Sequence, residues 1–356
     1  MRGPSWRATA ATDRASARRH YPSARRQSPR ALAPAFAIAQ HRTAVVVPTR
    51  DRPASLRRCL EALAAARERT PFTAWICDSS APARRPEIES ICAPYRWLEL
   101  RFHDGPNIAA ARNFCVQVAE AELLVSVDDD VQVTPGAIHA LVDAYDRRTG
   151  PSVVAGAVVW GEEPIPPMVL RRIGYGRAAR DGERPDFINS SLFLYPRAYG
   201  RQWPWNEKMD RGSDVLMGAI WRRAGVEMLW APDARAFHED DRNVLTAGRH
   251  GDYVYALLAH ALIAARRPYR LALIETVTLA AGLKGYARSR SSLTEYVRAW
   301  VRGHRAFVHD YRLLRDLAER PIPDTRRTHE RCPDSDARPP SAPTSRHASQ
   351  QRGSDS

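Results

Sequence analysis

The sequence predicts an α/β protein built around a doubly wound, mostly parallel β-sheet. Short apolar runs of strand length end at proline or at polar residues, and segments with apolar residues at helical spacing follow them. This alternation of strand and helix is typical of a parallel sheet with helices on both faces. It begins at residue 43 and ends near residue 240, which sets the bounds of the predicted domain.

The first elements are clearly marked in the sequence. The β-branched run 43–47 ends at Pro48, as a buried strand does, and Pro53 is typical of the first turn of a helix. Two further strands are predicted, one at 74–77 that ends at Asp78 and one at 97–102. Each strand thus ends next to residues that can bind a ligand.

A predicted helix at 108–121 leads into a fourth strand at 122–127, and that strand ends in three aspartates, 128–130. In open α/β sheets, ligands bind beyond the carboxyl ends of the strands. We therefore expect residues 48–50, Asp78 and the three aspartates to converge on one crevice.

Composition and charge divide the chain into four parts. The 356 residues, 44% of them hydrophobic, suffice for one large domain and an appendage. The formal net charge of +14 is uneven, because residues 43–241 carry −3 whereas residues 1–42 and 242–320 carry +8 each. We predict a disordered basic leader at 1–42, a helical appendage at 241–320 and a disordered tail at 321–356.

Cysteine spacing and hydropathy bear on the compartment. The five cysteines include no closely spaced pair, which favours a reducing compartment over a disulfide framework or a zinc site. No apolar run reaches the roughly 20 residues that a membrane-spanning helix needs. We expect a cytoplasmic protein, with peripheral association at the inner face of the cell membrane as a further expectation.

The aspartate triplet is the main candidate for metal binding. Three adjacent carboxylates repel one another unless a cation compensates them. Mg²⁺ and Mn²⁺ suit this role, because they take oxygen ligands and can bridge to substrate phosphates. The alternative is a solvated acidic turn, which the position after a buried strand disfavours.

A second candidate region lies downstream. Asp214 is predicted at or near the start of a helix, where it is either an N-cap or a general base that faces the crevice. Residues 226–230 are predicted to form a strand that a turn at 231–233 terminates. His238 follows this turn, either as a structural residue or as a metal ligand.

Taken together and in this order, these motifs resemble those of the family 2 glycosyltransferases, which have the glycosyltransferase A fold. The resemblance covers roughly residues 43–240. The matching segments are Val45-Val46-Val47-Pro48-Thr49-Arg50-Asp51-Arg52, Cys77-Asp78-Ser79-Ser80, Gly105-Pro106-Asn107-Ile108-Ala109-Ala110-Ala111-Arg112-Asn113, Asp128-Asp129-Asp130, Gly212-Ser213-Asp214, and Trp230-Ala231-Pro232-Asp233 with His238.

The resemblance implies a role for each matching residue. Pro48, Thr49, Arg50 and Asp78 would line the nucleoside pocket, with Asn107 and Arg112 nearby. Asp128 or Asp129 would bind the ribose side, and Asp130 would bind Mn²⁺ or Mg²⁺ on the donor diphosphate, with His238 as a further ligand. Asp214 would be the catalytic base of an inverting single displacement.

The resemblance also implies the substrates. The donor would be a nucleotide diphosphate sugar, with UDP or dTDP as the carrier. The acceptor would be a glycan or a lipid-linked sugar in cell-surface polysaccharide or glycolipid assembly. The chain departs from the family pattern at Ser79-Ser80, at Cys115 in place of a common glycine, and at Ser213, where the family commonly has an acidic residue before the base.

Two regions allow two interpretations each. Trp203 and Trp205 either stack against a sugar ring or pack in the core. The apolar stretches 254–265 and 271–283 are followed by basic residues, so they either bind an anionic bilayer surface or pack as a bundle against the catalytic domain.

Three alternatives to a transferase follow from the same sequence. A sugar nucleotidyltransferase would carry a Gly-rich phosphate loop near the first strand, and residues 49–53 are not such a loop. A degenerate transferase would bind the donor without turnover. A nucleic-acid-binding protein is suggested only by the Arg-rich leader, which lacks interleaved aromatic residues, so no specific nucleic-acid partner is expected.

Overall fold

The computed structural model describes residues 41–170, 176–180, 182–209, 211–239, 247–264, 271–287 and 292–324. Most of the predicted leader at 1–42 and of the predicted tail at 321–356 lies outside the described residues, namely 1–40 and 325–356. Cys332 lies there too.

The architecture is a large mixed, mostly parallel sheet with the strand order β3-β2-β1-β4-β10-β6-β11-β5 and with β7 paired to β6. Pairing is parallel from β3 to β4 and between β6 and β11, whereas β10 runs antiparallel to both of its neighbours. The strands are β1 Thr43–Thr49, β2 Thr73–Asp78, β3 Leu98–Phe102, β4 Leu123–Val127, β5 Val131–Val133, β6 Ser152–Trp160, β7 Glu163–Ile165, β8 Met168–Leu170, β9 Gly176–Ala178, β10 Leu192–Pro196 and β11 Glu227–His238. β8 and β9 form a separate two-stranded sheet.

Helices cover both faces of the sheet, which confirms the predicted fold class. They are α1 Pro53–Arg67, α2 Arg85–Cys92, α3 Ile108–Val118, α4 Ala137–Asp146, α5 Arg197–Gln202, α6 Ser213–Ala224, α7 Ala247–Ala259, α8 Leu271–Tyr286 and α9 Leu293–Ala318. A short 3₁₀ turn spans Pro82–Arg84, and a π-helical turn at His260–Ala264 follows α7.

The two faces of the sheet have separate hydrophobic cores. One core joins alternate residues of the central strands to α1, α2 and α4, and it includes Val45, Leu60 and Leu141. The other joins the opposite residues of those strands to α3, α5 and α6, and it includes Val46 and Trp221. This alternation buries β1 completely, as expected for a strand between two helical layers.

The predicted positions of the first four strands are confirmed to within a residue or two. The predicted helix 108–121 ends earlier, at Val118, because Ala119 has an extended backbone that leads toward β4. The predicted turn at 231–233 is wrong, since β11 continues to His238. A register shift against β6 between Ala231 and Arg235 absorbs the proline as a bulge instead of ending the strand.

The helical appendage packs against the domain that contains the large sheet. Buried residues of α7 and α9, such as Val254, Leu257 and Phe307, belong to the same core as α3 and α6. α7 and α9 approach closely at Gly251 and Gly303, where a Cβ on Gly303 would lie 2.4 Å from the Gly251 carbonyl oxygen. The bundle interpretation is thus confirmed for α7 and α9. None of the described helices combines the length and the apolar character that crossing a membrane requires.

Candidate active site

The centre of the site lies where β1 and β4 end side by side. The Thr49 hydroxyl donates a 2.7 Å hydrogen bond to Oδ2 of Asp129, and both residues are buried. Burial raises the pKa of Asp129 to about 7, although the hydrogen bond from Thr49 acts in the opposite direction. The middle aspartate of the triplet therefore joins the ends of β1 and β4 through a buried hydrogen bond.

A cation from the chain itself compensates the triplet. Nη1 of Arg52 lies 2.5 Å from Oδ2 of Asp130 and 3.5 Å from Oδ1 of Asp129. Arg52 directly precedes α1 and is part of the first-strand motif, but no role was predicted for it. The sequence feature that could have indicated a role for Arg52 is its position one residue before Pro53, on the loop after β1.

Asp128 has a different partner. Nη2 of the buried Arg112 donates to Oδ1 of Asp128 at 2.8 Å and to the Ser190 carbonyl at 3.2 Å. The Arg112 guanidinium also lies over the Trp205 ring, 4.8 Å from its centroid. The triplet is thus divided between two arginines, one from α3 and one from the loop before α1.

The same contacts decide between the two interpretations of the tryptophans. Trp203 and Trp205 are 0% and 4% exposed, and Nε1 of Trp203 donates to the Leu317 carbonyl at 2.9 Å. Trp205 packs edge-on against Trp221 of α6. The prediction of sugar stacking is therefore wrong, because both rings are buried, Trp203 against α9 and Trp205 against α6.

Asp214 is the second residue of α6, so its predicted position at a helix start is confirmed. The N-cap interpretation is wrong, because the N-cap is Gly212, which has a left-handed backbone, and Oδ1 of Asp214 accepts from the Val215 amide at 2.9 Å. Burial raises the pKa of Asp214, and the Val215 hydrogen bond and the charge of Arg112 oppose this rise. A carboxyl group with a raised pKa is a better proton acceptor than an ordinary one.

His238 faces Asp130 across the ends of β11 and β5. Its Nε2 lies 3.4 Å from Oδ1 of Asp130, and its Nδ1 lies 2.7 Å from the Glu239 carbonyl oxygen. Because a carbonyl can only accept, Nδ1 donates to it, and this hydrogen bond orients Nε2 toward the carboxylate. The Trp160 ring stacks on the imidazole at 4.7 Å and holds its orientation.

This arrangement fits a divalent cation. An imidazole nitrogen and a carboxylate oxygen that face each other can both be metal ligands, and Mg²⁺ or Mn²⁺ commonly takes few protein ligands and completes its shell with phosphate and water. Among the described residues, no group of three or more His, Cys, Asp or Glu side chains has the geometry of a metal site. The protein would thus supply a partial ligand set, and the donor would supply the rest.

The end of β2 forms a polar pocket around Asp78. This carboxyl group is fully buried, and its Oδ1 accepts from the backbone amide and the hydroxyl of Ser80. Its Oδ2 has no hydrogen-bond partner in the described structure. A buried carboxylate oxygen without a partner is costly, so it indicates a missing donor group from a ligand. Ser80, which departs from the family pattern, holds Asp78 in place.

The other predicted pocket residues have structural partners. Pro48 pairs with Cys77 in the sheet, and Nη1 of Arg50 donates to the Pro106 carbonyl at 2.6 Å. Asn107 is the N-cap of α3, where its side chain accepts from the Ala110 amide and donates to the Glu207 carbonyl. The structure thus brings these residues to the same edge of the sheet as Asp78, and their roles toward a ligand remain predictions.

His103, which follows β3 as Asp78 follows β2, is a further residue of this pocket that was not predicted from the sequence. Its backbone amide donates to the Asp78 carbonyl, and its Nδ1 accepts from the Gly105 amide at 3.0 Å. Burial lowers the pKa of His103, so the ring is neutral and Nε2 carries the proton. This buried Nε2 also lacks a partner in the described structure. Its position directly after a strand was the available signal.

Comparison with known proteins agrees with this geometry. Residues 44–202 match the family model described as Glycosyl transferase family 2. Residues 44–202 are therefore similar to a glycosyltransferase family 2 domain. The enzyme class of the chain is glycosyltransferase, and the matched segment includes Asp78, Arg112 and the aspartate triplet. The match ends before Asp214 and His238, and the roles of these two residues stay predictions.

Solved structures share the fold of this glycosyltransferase domain. The crystal structure of S. aureus TarS 1–349 in complex with UDP-GlcNAc matches with a TM-score of 0.53 and 15% identity, over 78% of this chain and 89% of that one. A longer S. aureus TarS chain matches with a TM-score of 0.52 and 16% identity, over 76% of this chain, which spans only 49% of the TarS length. At these identities the likeness shows the fold alone. A search of curated proteins by sequence gives no significant match.

Proposed function

We propose that this glycosyltransferase transfers a sugar from a nucleotide diphosphate donor to an acceptor hydroxyl, with inversion at the anomeric carbon and with a bound divalent metal ion. One observation carries the proposal. The Asp130 carboxylate and Nε2 of His238 converge at 3.4 Å beside the ends of β1 and β4, where such folds bind ligands.

The donor pocket is best suited to a base with an imide N–H group. Oδ2 of Asp78 is a buried acceptor without a partner, and Nε2 of His103 is a buried donor without one. Uracil and thymine offer an N–H flanked by carbonyl oxygens, so they can supply both missing partners. This supports UDP or dTDP as the carrier, and UDP-GlcNAc is the ligand bound to the TarS fragment of similar fold.

Asp130 and His238 would hold Mn²⁺ or Mg²⁺. Bound there, the ion would neutralise negative charge on the departing nucleotide diphosphate. Arg52 would compete with the ion for the charge of Asp130, since its Nη1 contacts Oδ2 at 2.5 Å, whereas His238 approaches Oδ1. The Arg52 guanidinium would also be close enough to contact the diphosphate, which Arg recognises well.

Asp214 would act as the general base. The acceptor oxygen attacks the anomeric carbon while its proton passes to the Asp214 carboxylate, and the bond between that carbon and the diphosphate oxygen breaks. The raised pKa of Asp214 favours this proton transfer. Because a single displacement reverses the configuration of the carbon, the product would be inverted.

We further propose that the acceptor is a glycan or a lipid-linked sugar of a cell-surface polymer, and that the protein works in the cytoplasm. The four described cysteines are all free and buried, which supports a reducing compartment. A degenerate protein that binds the donor without turnover is the second candidate. It is favoured by Ser213, which stands where an acidic neighbour of the base is common, and by the ion pair that Arg52 forms with Asp130.

Calorimetry with UDP, dTDP and GDP, each with and without Mn²⁺, tests the donor site. We expect metal-dependent binding that Asp130→Ala abolishes, that Asp214→Asn retains, and that the matched control Asp233→Ala, at an exposed carboxylate in the β11 bulge, leaves unchanged. A lack of binding by every nucleotide would overturn the proposal. Turnover of UDP-sugars by wild type but not by Asp214→Asn would then exclude the degenerate protein.

A further inference from the structure

α8 presents an apolar surface outward as well as inward. Its sequence from Leu271 to Tyr286 contains only two charged residues, Glu275 and Lys284. Its inner side, which includes Ile274, Val277 and Ala281, is buried. Its outer side has Leu279, Leu283 and Tyr286 at spacings of four and three residues, each 45% to 57% exposed. A surface helix that is apolar on both sides requires a second partner for its outer side.

The start of α9 extends this surface. Nε1 of Trp300 donates to Thr278, and the His304 ring contacts Glu275 at 2.7 Å, so α8 and α9 run antiparallel in a fixed register. In this register the end of α8 lies beside the start of α9. Leu293 and Val297, which are 45% and 50% exposed, therefore lie at the same level of the hairpin as Leu283 and Tyr286. We call these five residues, Leu279, Leu283, Tyr286, Leu293 and Val297, the hairpin patch.

The charge around the hairpin patch is positive on balance. Among the described residues from 276 to 287 and from 292 to 298, Lys284 and Arg298 are basic and Glu295 is acidic. Lys284 and Arg298 are exposed. Glu295 belongs to the capping box of α9, where its carboxylate accepts from the Ser292 amide at 2.8 Å. The surroundings of the patch are thus complementary to an anionic surface.

We propose that the hairpin patch is a docking surface for an anionic phospholipid bilayer. Its leucines and valine would enter the boundary between headgroups and acyl chains, the tyrosine would lie at the headgroup level, and the basic residues would contact lipid phosphates. α8 would lie along the membrane without crossing it, in agreement with the finding for the described helices. The proposal concerns membrane binding only and does not depend on sugar transfer.

Vesicle co-sedimentation with the full chain tests this surface. The vesicles contain phosphatidylcholine alone or equal parts of phosphatidylcholine and phosphatidylglycerol. We expect wild type to bind the anionic vesicles, with binding that weakens as salt is added, and to bind the neutral vesicles poorly. The double variant Leu279→Glu with Leu283→Glu should lose at least about tenfold in affinity for the anionic vesicles.

The matched control is Val308→Glu with Leu313→Glu on α9. These two residues are 74% and 55% exposed, so the control has the same change of charge on the same appendage, outside the patch. It should bind within about twofold of wild type. Circular dichroism melting curves establish that both variants fold.

Three results would overturn the proposal. The first is that wild type does not bind anionic vesicles. The second is a patch variant without a specific loss, either because it binds as wild type does or because both double variants lose binding equally. An equal loss would indicate that net charge alone determines vesicle binding. The third is a wild-type dimer in light scattering that the patch variant dissociates without any vesicle binding, because a second copy of the chain would then cover the patch.

Discussion

Nη1 of Arg52 contacts Oδ2 of Asp130 at 2.5 Å and Oδ1 of Asp129 at 3.5 Å, so one guanidinium bridges two members of the acidic triplet. The chain thereby carries its own counter-ion at the position where a divalent ion is proposed. A cation that binds Asp130 must compete with Arg52.

This competition predicts the effect of Arg52→Ala. Without nucleotide, we expect the variant to bind Mn²⁺ about tenfold more tightly than wild type, because an opposing positive charge near the ligands is removed. Since Arg52 is 46% exposed, its loss should cost less than about 1 kcal/mol of stability. Titration followed by electron paramagnetic resonance of free Mn²⁺ measures the affinity. Arg57→Ala, at an exposed position of α1, is the control. Unchanged or weaker Mn²⁺ binding by Arg52→Ala would contradict the competition.

The hydrogen bond from Thr49 to Asp129 predicts a pH-dependent loss of stability in Thr49→Val. Removing the donor raises the pKa of Asp129 further above about 7. A carboxyl whose pKa is raised by folding destabilises the protein as pH rises through that pKa, so the variant should lose more stability at pH 8 than at pH 5. We expect a difference of about 1 to 3 kcal/mol at pH 8 from the lost hydrogen bond to a buried charge.

Urea unfolding without metal at both pH values measures this difference. Thr70→Val is the control, because the Thr70 hydroxyl is buried without a hydrogen-bond partner in the described structure. Its replacement should be neutral or stabilising at both pH values. Equal losses for Thr49→Val at pH 5 and pH 8 would argue against the assigned pKa of Asp129.

The raised pKa of Asp214 predicts the acidic limb of the rate profile. The proposed base must be ionised to accept a proton, so kcat/KM should fall as pH decreases through the pKa of Asp214. Because burial raises that pKa, the fall should begin at a higher pH than an ordinary aspartate would give. The measurement is the pH dependence of sugar transfer at saturating metal. Activity that stays constant down to the ordinary range of aspartate would remove Asp214 as the titrating base.

The close contact at Gly218 predicts strong destabilisation by Gly218→Ala. A Cβ at this position in α6 would lie 2.2 Å from the Asp186 carbonyl oxygen. Alanine normally stabilises a helix relative to glycine by about 1 kcal/mol, but the clash with backbone should outweigh this and cost about 3 kcal/mol or more. Thermal unfolding tests the sign of the change. Gly150→Ala, with open space around its Cβ, should change stability by less than about 0.5 kcal/mol.

Much of the fold could be predicted from the sequence because its signals are local. The strands that end at Thr49, Asp78 and Val127 are apolar runs closed by polar residues, and their parallel order follows from the alternation with helices. The antiparallel insertion of β10 between β4 and β6 has no such signal, since pairing partners are separated by long stretches of chain.

The site could be predicted only in part for the same reason. The positions of the motifs indicated that Asp130 and His238 lie at the same edge of the sheet. They did not indicate that Arg52 forms an ion pair with Asp130. Burial of Trp203 and Trp205 depends on α6 and α9, which lie far along the chain. Tertiary contacts of this kind decide whether an aromatic or charged side chain is available to a ligand.

The bulge in β11 determines which side chain faces the acidic triplet. Across it, Ala231 pairs with Gly156 and Arg235 with Ala157, so β11 has three more residues than β6 between these pairs. Three is an odd number, and therefore the bulge exchanges the two faces of the strand for every later residue. It places Ala236 in the same core as Ala231 and turns His238 inward, while Phe237 is 53% exposed. In a straight β11 that kept the pairing of Ala231 with Gly156, Ala234 would pair with Val159, and Arg235 would stand where His238 now faces Asp130.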